Sequence, residues 1–175
     1  MSERKVDRVD EALRWARERL RDLTPLKSDC GRLCGAACCR SAEGEETGML
    51  LFPGEEALYA ADPTWRLKET ERGTLALCSG RCRREERPLA CRIFPLLPVV
   101  REEGVRVALD LRAAAVCPLG RGGLGALDPA FRTAVREAGG ALMGEARQAA
   151  FLRRLTEEQD ELRRLRRQFG GEGRV

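Results

Sequence analysis

Cys30-Gly31-Arg32-Leu33-Cys34-Gly35-Ala36-Ala37-Cys38-Cys39 carries four thiols in ten residues, and its reading decides the fold. Four more cysteines follow at 78, 82, 91 and 117, and none lies before residue 30 or after residue 117. The clustering predicts one site region flanked by cysteine-free scaffold. Between and around these thiols, short apolar runs alternate with Gly, Pro and charged turns: Met49 to Phe52, Thr74 to Leu77, Leu96 to Val100 and Val105 to Leu109. Runs of this kind read as short strands or extended segments, with one or two helical turns after Pro53. Few of them bury enough surface alone. Cross-linking by a metal is therefore expected to hold the region 28–118 together.

Outward from this region the pattern turns helical on both sides. Over 3–23, Val6, Val9, Leu13, Ala16, Leu20 and Leu23 recur at helical spacing on one stripe, opposite a charged face on which Asp10 and Arg14 are spaced for an ion pair. Pro25 is a natural stop. On the other side, four glycines between Gly120 and Gly125 form a linker. Asp128-Pro129 then supplies an N-cap and a first-turn proline, ahead of Phe131, Val135, Ala138 and Leu142 at helical spacing. Gly139-Gly140 is expected to weaken or bend that helix. Thr156-Glu157-Glu158-Gln159 fits a capping box, which predicts a fresh helix running to Phe169. The run Arg163-Arg164-Leu165-Arg166-Arg167 reads as a solvated helix face. The fold class expected is an α-rich α+β domain. Terminal amphipathic helices pack around a Cys-rich, metal-stapled region of loops and short strands, in one domain over 1–175 (3–23, 28–118 and 128–169).

Composition narrows the chemistry. A chain of 175 residues supports one core. With 43% hydrophobic but only 5% aromatic residues, that core should be built from Leu, Val and Ala. Histidine is absent from the sequence, which excludes Ser-His-Asp and Cys-His catalysis, mixed Cys/His zinc sites and any imidazole switch. Of 32 basic residues only Lys5, Lys27 and Lys68 are lysines, yet the formal charge is +4, too near neutrality to argue for nucleic acid. Stacking aromatics are also few, so nucleic acid is disfavoured as a partner. The N-terminus shows no apolar signal region, and no stretch approaches the roughly 18 apolar residues of a membrane span. The expected location is the cytoplasm, with no membrane partner, where reduced cysteine clusters hold metal more often than disulfides. A disulfide framework in an exported chain is the competing reading.

As ligands, Cys30, Cys34 and Cys38 lie four apart, so a helical turn would align them, and Cys78 and Cys82 repeat the gap. Cys91 and Cys117 follow singly, and Cys117 precedes Pro118, an ending that resembles bacterial ferredoxin runs. Cys38-Cys39 is awkward. In an extended segment neighbouring side chains point opposite ways, so the two thiolates would not share one tetrahedral ion; one of them could ligate a second metal, bridge, or stay a free nucleophile. Some of the eight could instead be buried apolar thiols.

The stretch Arg87-Pro88-Leu89-Ala90-Cys91-Arg92-Ile93-Phe94-Pro95, set between the other cysteines and Cys117-Pro118, resembles the YkgJ-type cysteine-cluster family. The resemblance covers roughly 30–118 and leaves both helical flanks outside. It implies a zinc- or iron-chelating domain with Cys30, Cys34, Cys38, Cys39, Cys78, Cys82, Cys91 and Cys117 as ligands. The family's first cluster has two-residue gaps where this chain has three, which leaves the metal and its nuclearity open. Some larger relatives are flagellin lysine N-methylases, and others carry iron–sulfur oxidoreductase labels.

Independently of the resemblance, Pro88 and Pro95 would fix the backbone on either side of Cys91, and Phe94 would limit solvent access. Arg87 and Arg92 would neutralise thiolate charge or donate to sulfur, although Arg87 could equally form a surface ion pair with Glu85 or Glu86. The all-sulfur donor set suits zinc and an iron–sulfur cluster, including a [4Fe–4S] cluster, alike. The function expected is a metal-binding protein that is structural, redox-active or accessory to a protein partner. The alternative is an enzyme, either a small iron–sulfur oxidoreductase or a lysine N-methylase-like protein. Against the methylase, the glycine-rich stretch from Gly120 to Gly125 follows no clear strand of a βαβ unit that would seat a nucleotide-like donor.

Overall fold

The computed structural model describes residues 9–40, 48–78, 80 and 82–169, with only the backbone at Cys78. It is an α-rich α+β fold. Helix α1 (Glu11–Arg19) starts at Asp10, whose Oδ1 accepts the Leu13 N–H at 2.7 Å. Residues 3–8 of the expected helix lie outside the described residues, and α1 stops at Arg19 rather than Leu23. The Asp10–Arg14 pair expected from spacing does not form. The Asp10 carboxylate is committed to the cap and to the Gln148 amide at 2.6 Å, while Arg14 donates to the Val9 carbonyl.

Two antiparallel sheets follow. In the first, β3 (Gly73–Cys78) lies between β1 (Gly48–Leu50) and β2 (Trp65–Thr70). The register sets Gly48 opposite Leu77 and Trp65 opposite Cys78. The second is a hairpin of β4 (Leu96–Arg101) and β5 (Gly104–Leu109), with Leu96 opposite Leu109. The single turn after Pro53 is α3 (Glu56–Tyr59). Among the described strands, β2 is the one that the apolar pattern did not announce, because Trp65-Arg66-Leu67-Lys68-Glu69-Thr70 is two-thirds polar and half exposed at the sheet edge.

The C-terminal helices α6 (Pro129–Leu142) and α7 (Ala146–Phe169) pack with α1 and the hairpin around one core. Val9, Leu13, Ala16 and Leu20 of the N-terminal segment meet Phe131, Val135, Ala138 and Leu142 of α6 there. Asp128 Oδ1 accepts the Ala130 N–H at 2.7 Å, as its position before Pro129 led one to expect. Gly139 does not break α6. A Cβ at this position would come within 2.6 Å of Pro98 and 2.8 Å of Val105, so the glycine is what lets the hairpin approach the helix.

Nor does Thr156 begin a new helix, because α7 is continuous from Ala146 to Phe169. The Thr156 hydroxyl donates to the Leu152 carbonyl and accepts the Val100 N–H. Gln159 donates to the Leu109 carbonyl and accepts the Leu111 N–H. Both side chains satisfy backbone groups at the hairpin, an unpaired edge that would otherwise carry a desolvation cost.

The middle region is less dependent on cross-linking than its sequence implied. Leu50, Phe52, Leu89, Ile93, Leu96, Leu97 and Val99 belong to the main core, and Leu51, Tyr59, Trp65 and Ala76 form a second one. The segment 26–40 contributes no buried side chain, the longest such stretch among the described residues. Among the described residues, no helix is long and apolar enough to cross a membrane.

Candidate metal centre

The segment without apolar anchorage carries the first thiols. Asp29 caps the one-turn helix α2 (Cys30–Cys34) by accepting the Gly31 N–H at 3.0 Å, and the turn sets Cys30 and Cys34 on one face. Gly35 at φ 61° and Ala36 at φ 54° are both left-handed. An alanine there is disfavoured by about 1–2 kcal/mol. The double left-handed step folds the chain back into a 3₁₀ turn at Ala37–Cys39.

That turn corrects the expectation for Cys38-Cys39. Because the backbone is turned rather than extended, the two sulfurs lie on the same side, 3.9 Å apart. The edge of a tetrahedral site with metal–sulfur bonds of about 2.3 Å is about 3.8 Å, so adjacency does not prevent the pair from sharing an ion.

Cys91 comes from the short helix α4 (Leu89–Ile93), which Pro88 opens and at whose end Phe94 turns extended. Cys117 ends α5 (Ala113–Val116), its N–H donating to the Ala113 carbonyl at 2.7 Å, and Pro118 begins the next 3₁₀ turn. Helix α5 packs against the Ala37–Cys39 turn. Cys30, Cys34, Cys38, Cys91 and Cys117 thereby line one cavity of about 50 Å³, closed on its apolar side by Leu20, Phe94, Pro95 and Leu119. Small-molecule pockets start near 300 Å³, so this cavity suits an occupant of atomic size. Among the described residues, no three Cys, Asp or Glu side chains converge as a ready-made cage for an ion. The five cysteines ring the cavity wall.

Cys39 and Cys82 lie outside that ring, on the far side of Arg87, which itself lines the cavity and also acts on Cys30. The Arg87 guanidinium hydrogen-bonds Cys82 and is held near Cys39, and these contacts outweigh burial in keeping it charged. Glu85 and Glu86 instead pair with Arg83, so Arg87 is turned to sulfur and not to a surface carboxylate. The Cys39 thiol is pulled down to about 6 by the hydrogen bond from Cys38 and, against burial, by Arg87. Cys38 is pushed up by the same bond, by burial and by Cys30 and Cys91. Burial, then Cys34, Asp29 and Cys117, raise Cys30. Gly80 sits so close to Cys39 that a Cβ would come within 2.6 Å of the Cys39 carbonyl, which seats Gly80 against the turn. The Cys78 side chain lies outside the described residues.

Arg92 lines the cavity but gives its guanidinium to backbone. It donates to the carbonyls of Arg17, Glu85 and Arg87 at 2.7, 2.7 and 2.8 Å. It therefore fastens α1 to the loop that carries Arg87 and Cys91, a role different from the sulfur contact read from its sequence position. Beneath it lies fully buried Glu55, which accepts from Arg17 and from the Leu89 N–H at 2.7 Å, while the Tyr59 hydroxyl donates to the Glu86 carbonyl at 2.8 Å. Sequence reasoning passed over Glu55, Gly80 and Asp29. Only Asp29, a capping residue directly before Cys30, carried a local signal.

Compared with known protein families, curated proteins and solved structures, the chain matches none. The likeness to the YkgJ-type family thus rests on the signature residues alone.

Proposed function

We propose that this chain is a metal-binding protein that holds zinc or an iron–sulfur cluster through cysteine thiolates, in a structural, redox or partner-assisting role within the reducing cytoplasm. The observation that carries the reading is the meeting of five thiols, from three separate stretches of chain, on one cavity of about 50 Å³. Cys91 and Cys117, distant in sequence from Cys30, Cys34 and Cys38, have no packing reason to gather beside a segment with no buried side chain, whereas a soft-metal site needs them there. A cavity of that size supports a metal rather than an organic substrate as occupant.

Cys30, Cys34, Cys91 and Cys117, with Cys38 beside them, would supply the thiolates, and Phe94 and Leu119 would limit solvent access. Zinc would supply a closed cross-link without redox chemistry; a cluster would supply one-electron chemistry. Asp29 and Arg84 hold the first loop to the loop before α4 through an ion pair at 3.7 Å, and Arg84 also donates to the Leu23 carbonyl.

Metal retention in Cys91→Ser and Cys117→Ser tests the proposal. Both variants should lose metal on dialysis against a weak chelator that the native chain resists, while keeping its helical circular dichroism. Native-like retention in both would overturn it.

A further inference from the structure

Helix α7 carries its apolar face past the core. Phe151, Leu152 and Leu155 are buried, whereas Leu162, Leu165 and Phe169 are 41%, 40% and 73% exposed. Leu155, Leu162 and Phe169 recur every seven residues, so one face runs apolar from the core out into solvent. Beside it lies an open groove of about 290 Å³, lined in part by Leu97, Arg112, Leu155, Leu162 and Leu165. Charge along the same stretch is arranged about Leu162. The residues one, two, four and five places before it are Glu161, Asp160, Glu158 and Glu157; those at the same places after it are Arg163, Arg164, Arg166 and Arg167. Further out, Thr156 mirrors Gln168 and Leu155 mirrors Phe169. The helix dipole favours arginines in a last turn, but it favours carboxylates only in a first turn, and the first turn of α7 holds none. Pairing within the chain accounts for part of the pattern. Asp160 holds Arg101 at 2.8 Å and Arg163 at 3.5 Å, Glu161 lies 3.6 Å from Arg164, and Glu158 pairs with Arg72. Among the described residues, Glu157, Arg166 and Arg167 form no ion pair.

We propose that this face is the contact between two copies of the chain, docked antiparallel about a two-fold axis at Leu162. Such an axis carries each residue onto its mirror position, so the acidic turn of each copy lies along the basic turn of the other. Leu162 meets Leu162. Glu158 and Arg166 stand four residues to either side of Leu162 on its own face, and they are the opposite charges brought closest across the contact. Phe169 of one copy arrives at the level of Leu155 of the other, where the groove receives its ring. A parallel pair would set carboxylate beside carboxylate and arginine beside arginine. An anionic surface would use the arginines and be repelled by the carboxylates. Only a second copy of the same helix, reversed, satisfies both halves of the pattern at once.

Sedimentation velocity of the full chain, over a concentration series in reducing buffer that removes intermolecular disulfides, tests the contact. The native chain should pass from 19.5 kDa to twice that mass as concentration rises. Its dissociation constant should increase with salt, because the attraction between the copies is screened; a parallel contact would tighten instead. Leu162→Arg should leave monomer throughout. Arg166→Glu and Glu158→Arg should each weaken self-association by about tenfold, since two exposed pairs change sign in the symmetric dimer. An equimolar mixture of those two variants should recover a dimer of native strength. The Arg72 pair that Glu158→Arg gives up is exposed, so the fold should persist, and helical circular dichroism checks each variant. A native chain that stays monomeric across the series, a dimer that survives Leu162→Arg, or a mixture that fails to recover association would overturn the proposal. A monomer that binds anionic vesicles through this stretch would overturn it too, and would assign the face to lipid.

Discussion

Replacing Arg92 with lysine tests whether the arginine that follows Cys91 acts on backbone or on sulfur. The Arg92 guanidinium is 9% exposed as a residue and donates to three carbonyls at 2.7–2.8 Å. These come from α1 and from two points of the loop before α4, so one planar group holds three strands of chain together. An ammonium has donors enough but not the fixed fork, and its four-carbon stem reaches only one of the carbonyls well. Two hydrogen bonds from a charged donor are then lost. At about 1.5 kcal/mol each, the low end for charged partners, Arg92→Lys should cost about 3 kcal/mol. For a chain of this length that lowers the unfolding temperature by about 6–12 °C. Thermal unfolding followed by far-ultraviolet circular dichroism, on native and variant samples matched in metal content, measures the loss. A decrease below about 2 °C would refute the reasoning, because a lysine that served as well would mean that charge near the thiols, and not the fork, is what the position requires.

Two adjacent glycines should respond with opposite sign to the same change. Gly139→Ala drives a Cβ into Pro98 and Val105 and should destabilise by about 1–3 kcal/mol, despite the better helix propensity of alanine. A Cβ at Gly140 meets nothing within 4 Å, so Gly140→Ala should stabilise by about 0.5–1 kcal/mol; urea denaturation reads both. Burial raises the Glu55 carboxyl against the opposing pull of Arg17 and the N–H groups of Leu89 and Phe52. The folded chain therefore binds this proton more tightly than the unfolded chain. The contribution of Glu55 is fully present below the ordinary carboxylate range and is lost as pH rises through its raised folded value. Urea midpoints should fall across that window in the native chain and stay flatter in Glu55→Gln.

The flanks of this fold were legible because their signals are local. The stripe from Val9 to Leu20, the Asp128-Pro129 start and the runs that became β3, β4 and β5 each depend on residues close in sequence. What escaped depended on partners far away. Thr156 and Gln159 have the spacing of a capping box, yet they serve the edge of a hairpin some 50 residues earlier. Gly139 reads as a helix weakener until Pro98 and Val105 are seen against it.

At the candidate site the cysteine spacing singled out the thiols but not how the fold groups them. The turn that brings the Cys38 and Cys39 sulfurs together follows from an alanine in a left-handed conformation, which no propensity announces. Arg87 and Arg92 are equivalent by sequence argument, and the structure separates them by what lies opposite: sulfur for one, three carbonyls for the other.

The most direct measurement of the central claim is the content of zinc, iron and acid-labile sulfide per chain in protein purified without oxygen. The account predicts bound metal in at least stoichiometric amount, either zinc without sulfide or iron with matching sulfide, and thiols protected from alkylation until a chelator removes the metal. A chain that carries neither metal, takes up neither on reconstitution and alkylates at all its cysteines without delay would contradict it.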